Sequence, residues 1–536
     1  MTDSVGVSGE ARRVTRAAVL ISVGSIASRA LGLVSEMAKS YFFGAGGAVS
    51  AFDVASQVPT MLYDQLVGGM LSASLVPVFS DYADSDDKDG LGEVFGHVLT
   101  LLILLLGGVV LLLEIGAPAV ARMLGTELPP EYLAMASSMI RITAPAVIFL
   151  NVAGLLSAVL HALQRFRLPA FTGAIYNASM VVVILALATS SLGARTLAWG
   201  LLLATIAQVA FQIPGLRGLR LRLRSPFPLH PALKQVGRLY LPIGVGLLAD
   251  QFAVGLSFNL ASRTGPSGIA WMKYAAKLIQ VPLGLVVTAV AVAILPTLSR
   301  YATNADESAY RTTLAQGLRL VLILVLPAAM GLLVMAEPLV AVLLQRGAFQ
   351  PSDTVATAQV LRFSILGLVF AALDTPLIFA FYARKDTWTP ALVGMGTTVL
   401  YIIIALAPTL FHAPRLWELV LANSLKLTAH ALLMLYLFTR KVGSLGPHGL
   451  GRTIIISLGA ALAMILPMQV VLQSLAPVVP AGSLGYLIRI LAATGIGGLI
   501  YLGLLKLLGV EELTLIRQSL RRRDSVSPDA MIRVRK

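Results

Sequence analysis

The sequence contains no cysteine, which excludes disulfides, thiolate metal sites and cysteine nucleophiles. Histidine is scarce as well: the six residues are scattered, with no HxxxH or HxxEH spacing, so no metal-ligand cluster is spelled out. Charge is thin. Only 12% of 536 residues are Asp, Glu, Lys or Arg, and no stretch is long and polar enough for a separate soluble domain. With a mean hydropathy of +0.84, this excludes a soluble globular chain. A membrane glycosyltransferase or polymerase would show catalytic carboxylates or a metal site on a sizeable extramembrane loop. The one acidic run, 81–89, reads more simply as a solvated turn.

What is present is apolar residue, 57% of the chain, enough for a dozen or more spans of about 20 residues each. The formal charge of +15 would suit nucleic acid in a soluble protein. In a membrane protein Lys and Arg collect in cytoplasmic loops for topological reasons, so no nucleic-acid partner is expected. Arg12, Arg13 and Arg16 precede the first apolar run as in a signal peptide, but the run is too long for an h-region and contains Arg29. It reads as a retained first helix.

Apolar blocks between polar or Pro/Gly-marked breaks predict helices at 17–43, 48–80, 92–122, 132–164, 169–191, 196–219, 232–263, 268–302, 311–346, 354–384, 388–412, 415–440, 450–476 and 483–508. With the N-terminus inside, the even junctions hold Arg165/Arg167, Arg217/Arg220/Arg222/Arg224, Arg300/Arg311, Arg384/Lys385 and Arg440/Lys441/Arg452, and the tail adds Arg517 and Arg521 to Arg523. Odd junctions carry mostly single basic residues, such as Arg122, Arg195, Arg263 and Arg415. The positive-inside rule therefore predicts a multi-pass protein with an even number of spans and both termini cytoplasmic.

Landmarks recur at an offset of about 220 residues. Val76-Pro77 answers Leu295-Pro296, Pro118 answers Pro338, Ile140-Arg141 answers Leu361-Arg362, Pro169-Ala170 answers Pro390-Ala391, and Trp199 answers Trp417. The expected fold is an all-α polytopic membrane protein of about fourteen transmembrane helices, with two six-helix lobes related by an internal repeat plus two C-terminal helices. In residues, these are an N-lobe at 1–225, a C-lobe at 226–445, the final helix pair at 446–510 and a basic cytoplasmic tail at 511–536. Same-topology repeats point to a carrier with its site between the lobes; a duplicated scaffold without transport is the bland alternative.

A charge at the bilayer centre costs roughly 2.5–3.5 kcal/mol on insertion scales, so clustered intramembrane charges need a purpose. The first two helices carry Arg29, Glu36, Lys39, Asp53 and Asp64; the eighth carries Lys273 and Lys277, one turn apart on one face. Arg29, Lys273 and Lys277 converging on one anion would suit phosphate or pyrophosphate, to which Arg offers a fork and Lys a point charge. The competing reading pairs Arg29 with Glu36 or Asp53 and lets Lys273 snorkel. Asp250 and Asp374 are candidate cation or proton carriers, unless each simply pairs with a nearby base.

Ser28-Arg29-Ala30-Leu31-Gly32, Phe43-Gly44-Ala45-Gly46, Pro59, Val76-Pro77-Val78, Arg165-Phe166, Pro169-Ala170-Phe171, Asn177, Trp271-Met272, Gly317-Leu318-Arg319-Leu320 and Phe381-Tyr382-Ala383-Arg384 stand in order along the chain. In these the sequence resembles the MurJ/MviN family of lipid II flippases, within the superfamily that includes MATE multidrug exporters and polysaccharide flippases. The resemblance implies a flippase, not an enzyme, that moves undecaprenyl-pyrophosphate-linked peptidoglycan precursor (lipid II) from the inner to the outer leaflet by alternating access. It implies a place in the bacterial cytoplasmic (inner) membrane, a role in cell-wall synthesis and cell shape, no cofactor, and a final helix pair forming a groove for the lipid tail. It makes Arg29 a cleft arginine with Ser28 its neighbour, and it places Lys277 where the family has an eighth-helix arginine.

Departures from the family pattern are specific. Ser35 and Tyr63 replace two further cleft arginines, Ser50 an aspartate, Thr60 an asparagine and Gln280 a glutamate. The predicted substrate-binding set is thus Arg29, Lys277, Ser28, Lys273, Glu36, Thr60, Gln280 and Lys39, with Lys39 or Lys273 as replacement cations. The expected partners are a lipid-linked glycan pyrophosphate and membrane lipids, with a coupling cation or the membrane potential as the energy sources open to such a carrier. The eleventh helix lacks the acid and asparagine of a sodium site that some family members resemble. Alternatives are a flippase for another polyprenyl-linked glycan, of exopolysaccharide or O-antigen type, and a cation-coupled drug exporter.

Overall fold

The computed structural model describes residues 3–66, 70–84, 88–219, 231–446, 449–480, 482–510 and 512. Every regular element among them is helical, as lipid demands of any segment whose backbone has no water to bond. The helices are α1 (Asp3–Phe43), α2 (Gly47–Leu66), α3 (Met70–Asp84), α4 (Lys88–Leu124), α5 (Pro130–Thr143), α6 (Ala146–Ala162), α7 (Arg167–Leu187), α8 (Arg195–Gln212) and α9 (Pro231–Ser262). They continue as α10 (Gly268–Pro282), α11 (Thr288–Thr303), α12 (Glu307–Leu344), α13 (Pro351–Ala383), α14 (Trp388–Leu406), α15 (Leu416–Lys441), α16 (Leu450–Ala463), α17 (Ile465–Ser474) and α18 (Ser483–Leu507).

Each predicted span coincides with one helix or a broken run. Ten helices are long and apolar enough to cross a membrane, or eleven when α5 and α6, bent by 42°, are taken as one span. Pro145 stands at that bend. The remaining helices, α2, α3, α9 and α10–α11, are short, polar or broken: Asp53 and Asp64 lie in α2, Asp250 in α9 and Lys273 and Lys277 in α10. Pro282 ends α10, and a single π-helical turn, Leu283–Val287, precedes α11, a break where backbone bonds are given up. The predicted loop charges Arg220, Arg222 and Arg224 and most of the basic tail lie outside the described residues.

The chain forms two compact units. The first takes Met1–Val281, Leu343–Val360 and Ala391–Lys426. Its main core joins Val54 and Ala55 of α2 to Met139 and Ile140 of α5 and Leu197 and Leu201 of α8. A second core joins Phe79 of α3, Phe95 of α4 and Leu155 and Val159 of α6. The second unit takes Pro282–Val342, Leu361–Pro390 and Leu427–Lys536. There Tyr310 of α12 donates to the Ala380 carbonyl beside Phe438, Tyr501 of α18 donates to the Ile323 carbonyl at 2.8 Å, and Arg319 meets Glu512 at 2.8 Å. Large apolar side chains left outside, such as Ile115 at 81% exposure, form the surface expected to face acyl chains.

Candidate functional site

The site begins with small residues. Gly24, Ser28 and Gly32 repeat every four positions on α1 and so share a face, the spacing that lets membrane helices approach closely. They meet α7, where a Cβ on Gly24 would overlap the Ala170 carbonyl and one on Gly173 would overlap Ser28 Oγ. Asn177 fixes the register by donating to the Ser28 carbonyl at 3.0 Å and to the Gly173 carbonyl at 2.9 Å. With Ser28 locked against α7, Arg29 is rotated about 100° around the axis.

Between α1, α6, α7 and α10 lies a cavity of about 440 Å³ that Ser28, Arg29, Lys277 and Gln280 all line, together with His161, Thr172 and Asn177. Arg29 Nη1 donates to the Gln280 carbonyl at 2.9 Å, and its Nε is buried with no hydrogen-bond partner. Lys277 is exposed to the cavity; among the described residues it makes no direct hydrogen bond or ion pair, and the nearby Glu36 carboxylate attracts it from a longer range. Two cations from different helices therefore share one chamber, and no carboxylate is among its described lining residues.

The other predicted residues are brought together elsewhere. Lys39 is 4% exposed; its ammonium lies 2.7 Å from Glu36 Oε2, 3.4 Å from Asp53 Oδ1 and 4.5 Å from the centre of the Tyr274 ring. Lys273 Nζ donates to Gln57 Oε1 at 3.0 Å and stands 5.2 Å from the Phe258 ring centre. These two lysines against two acids make a charge-balanced cluster tying α1, α2 and α10 together, and neither lysine lines the cavity. Burial explains it: an ammonium without water needs carboxylates or rings around it. Thr60 Oγ1 donates to the Ser56 carbonyl one turn back, at 2.8 Å, and is also absent from the cavity wall.

Beyond this cluster, the end of α1 is clamped. Gly44 and Gly347 both take positive φ, +68° and +59°. A Cβ on Gly44 would run into the Ala348 carbonyl, and one on Gly347 into the Tyr41 carbonyl. The Ala348 amide donates to the Tyr41 carbonyl at 2.9 Å, and Tyr274 Oη donates to the Gly44 carbonyl at 2.8 Å. Trp271 Nε1 donates to Asp353 Oδ1 at 2.9 Å. The clamp lies about 20 Å along α1 from Arg29.

Both lone acids have bases. Asp250 meets Lys426 at 2.9 Å and accepts from Thr398 at 3.3 Å; within the second unit, Asp374 meets His430 at 2.8 Å. Sequence reading missed His161 altogether and gave Asn177 no role. The four-residue spacing of Gly24, Ser28 and Gly32 was a visible signal for the α1–α7 contact; nothing near His161 marked it out.

The geometry can be set beside known proteins. The family model described as lipid II flippase MurJ matches residues 39–493. A probable lipid II flippase MurJ from Haemophilus influenzae is 30% identical over 388 residues, covering 69% of this chain and 76% of its own. The lipid II flippase MurJ of Burkholderia cenocepacia is 28% identical over 463 residues, covering 84% and 88%. In fold, the chain is similar to a lipid II flippase MurJ in an inward closed conformation, with a TM-score of 0.76 and 20% identity over 95% of this chain and all of that one. It is also similar to an inward-facing MATE multidrug transporter of the MOP superfamily, with a TM-score of 0.68 and 15% identity over 78% of this chain and 96% of that one. The match over most of the length, by sequence and by fold, leaves one assignment: this multi-pass membrane protein belongs to the MurJ lipid II flippase family, a family of transporters and not of enzymes.

Proposed function

We infer that this chain is a lipid II flippase that carries the undecaprenyl-pyrophosphate-linked precursor across the bacterial inner membrane, with the pyrophosphate held in the α1–α10 cavity. The observation that carries the reading is the convergence of Arg29 and Lys277 on one chamber whose described lining residues include no carboxylate. Two cations at membrane depth are costly; Glu36, the carboxylate near enough to attract Lys277, already pairs with Lys39, and a bound pyrophosphate offsets the cost through charge-assisted hydrogen bonds. Ser28 and Gln280 supply neutral polar groups to the same anion, while Lys39, Glu36, Asp53 and Lys273 hold the helices that present it. The carrier alternates access by rocking one six-helix repeat against the other, the termini stay cytoplasmic, and the apolar 446–510 pair takes the lipid tail.

One feature favours a second substrate. The resemblance implies arginines at the positions of Ser35 and Tyr63, neither of which lines the cavity here, and a chamber with Arg29 and Lys277 as its charged lining residues also suits another polyprenyl-linked glycan bound through a less charged linkage. A cation-coupled exporter needs an available intramembrane acid, and Asp250 and Asp374 are both engaged. The energy source is a coupling cation or the membrane potential.

The test is complementation in bacteria depleted of their own lipid II flippase, with membrane abundance measured alongside. Wild type is expected to restore growth, and Arg29→Ala at equal abundance to fail. A well-expressed wild type that does not rescue would move the assignment to the other glycan; rescue by Arg29→Ala would remove the cavity from the mechanism.

A further inference from the structure

His161 lies near the C-terminus of α6, and the turn 163–166 that follows returns the chain to Pro169 and Ala170 of α7; all three residues line the cavity shared by Arg29 and Lys277. Its ring stands 5.6 Å from that of Phe166, tilted by 35°, and makes no hydrogen bond with another described residue. A half-buried imidazole carries at least one N–H donor and has reason to find an acceptor. The charged groups facing the chamber are Arg29 from α1 and Lys277 from α10, while α7 contributes hydroxyl, amide and apolar groups only. No acid is present among the described lining residues to pair with the ring. Three nitrogen donors from three helices thus surround one space without a carboxylate, an arrangement matched by an anion with several oxygens spread over more than one phosphorus.

We propose that His161 is a third binding residue for the substrate pyrophosphate, donating a ring N–H to a phosphate oxygen at the end of the cavity nearest the 163–166 turn. This rests on the flippase reading above. In this arrangement Arg29 and Lys277 supply the charge, and His161 supplies direction. With a third donor the chamber offers more hydrogen bonds than the oxygens of one phosphate use, so a diphosphate gains from His161 where a monophosphate is held by Arg29 and Lys277 alone. His161 also supplies a donor in a chamber that has a lysine and not an arginine on α10.

The experiment measures binding of lipid II, and separately of undecaprenyl monophosphate, to the purified full-length protein in detergent, for wild type, His161→Leu, His161→Gln and Arg29→Ala. His161→Leu is expected to weaken lipid II binding about tenfold, a charge-assisted hydrogen bond's worth, while changing monophosphate binding less than twofold. His161→Gln keeps an N–H donor and is expected to restore most of the loss. Unchanged lipid II affinity in His161→Leu, or equal losses in the Leu and Gln variants, would overturn the role. Arg29→Ala separates the two levels: if it binds lipid II as wild type does, the cavity reading fails, whereas a loss there with no effect at His161 removes only the histidine.

Discussion

At the scale of residues, the membrane half of this protein divides its charges into two kinds. Lys39 is enclosed by Glu36, Asp53 and the Tyr274 ring, and Arg29 and Lys277 are left facing a chamber. In the proposed account the first kind holds structure and the second meets the substrate. Lys39→Met should therefore leave two buried carboxylates without their cation, a loss of about 3–5 kcal/mol, seen as a large drop in melting temperature in detergent. Lys277→Met should leave the melting temperature within a few degrees of wild type. If the two variants melt alike, the division is wrong. Part of this division was readable beforehand: Glu36 and Lys39 are three apart on one helix and pair as that spacing implies. Lys273 and Lys277 were expected to act together because four residues share a face. The 40° that separates such positions, with long side chains, is enough to send Lys273 to Gln57 and Lys277 to the cavity. His161 was invisible because its significance depends on α1 and α10, more than a hundred residues away in either direction.

At the scale of elements, close approach is set by missing side chains. Gly24 and Gly173 let α1 and α7 touch, which sets the rotation of α1 and so the direction of Arg29. Gly44 and Gly347 interlock two turns whose positive φ few other residues tolerate. Gly347→Ala is predicted to loosen this clamp. The chain has no native cysteine, so Ser50→Cys, at a position buried beside the clamp, gives a single labelling site. Maleimide labelling should be slow in that background and several-fold faster when Gly347→Ala is added; equal rates would show that the clamp does not control access there. The Gly44 and Gly347 positions were quoted from sequence as landmarks, but their reciprocal fit involves turns three hundred residues apart and has no local signature. The fourteen apolar segments, by contrast, were legible almost to their ends, because length and hydropathy are local and lipid permits only helices. The interruptions were legible as well, since a proline inside a span marks a kink or an unwound turn: Pro145 stands at the bend and Pro282 before the break, though nothing marked that break as π-helical.

At the scale of the whole molecule, an apolar, helical chain that belongs to the lipid II flippase family carries a chamber in which Arg29 and Lys277 share one space without a lining carboxylate among the described residues. Among the described residues lining the chamber the charged ones are Arg29 and Lys277, so the account places its whole demand for positive charge on these two. The most direct measurement is translocation of lipid II in vesicles reconstituted with the full-length protein, comparing wild type with Arg29→Ala, Lys277→Ala and Lys277→Arg at equal incorporation. Wild type should translocate lipid II, each alanine variant should slow it about tenfold or more, and Lys277→Arg, which restores a bidentate fork, should match or exceed wild type. Translocation at the wild-type rate by both alanine variants would contradict the account.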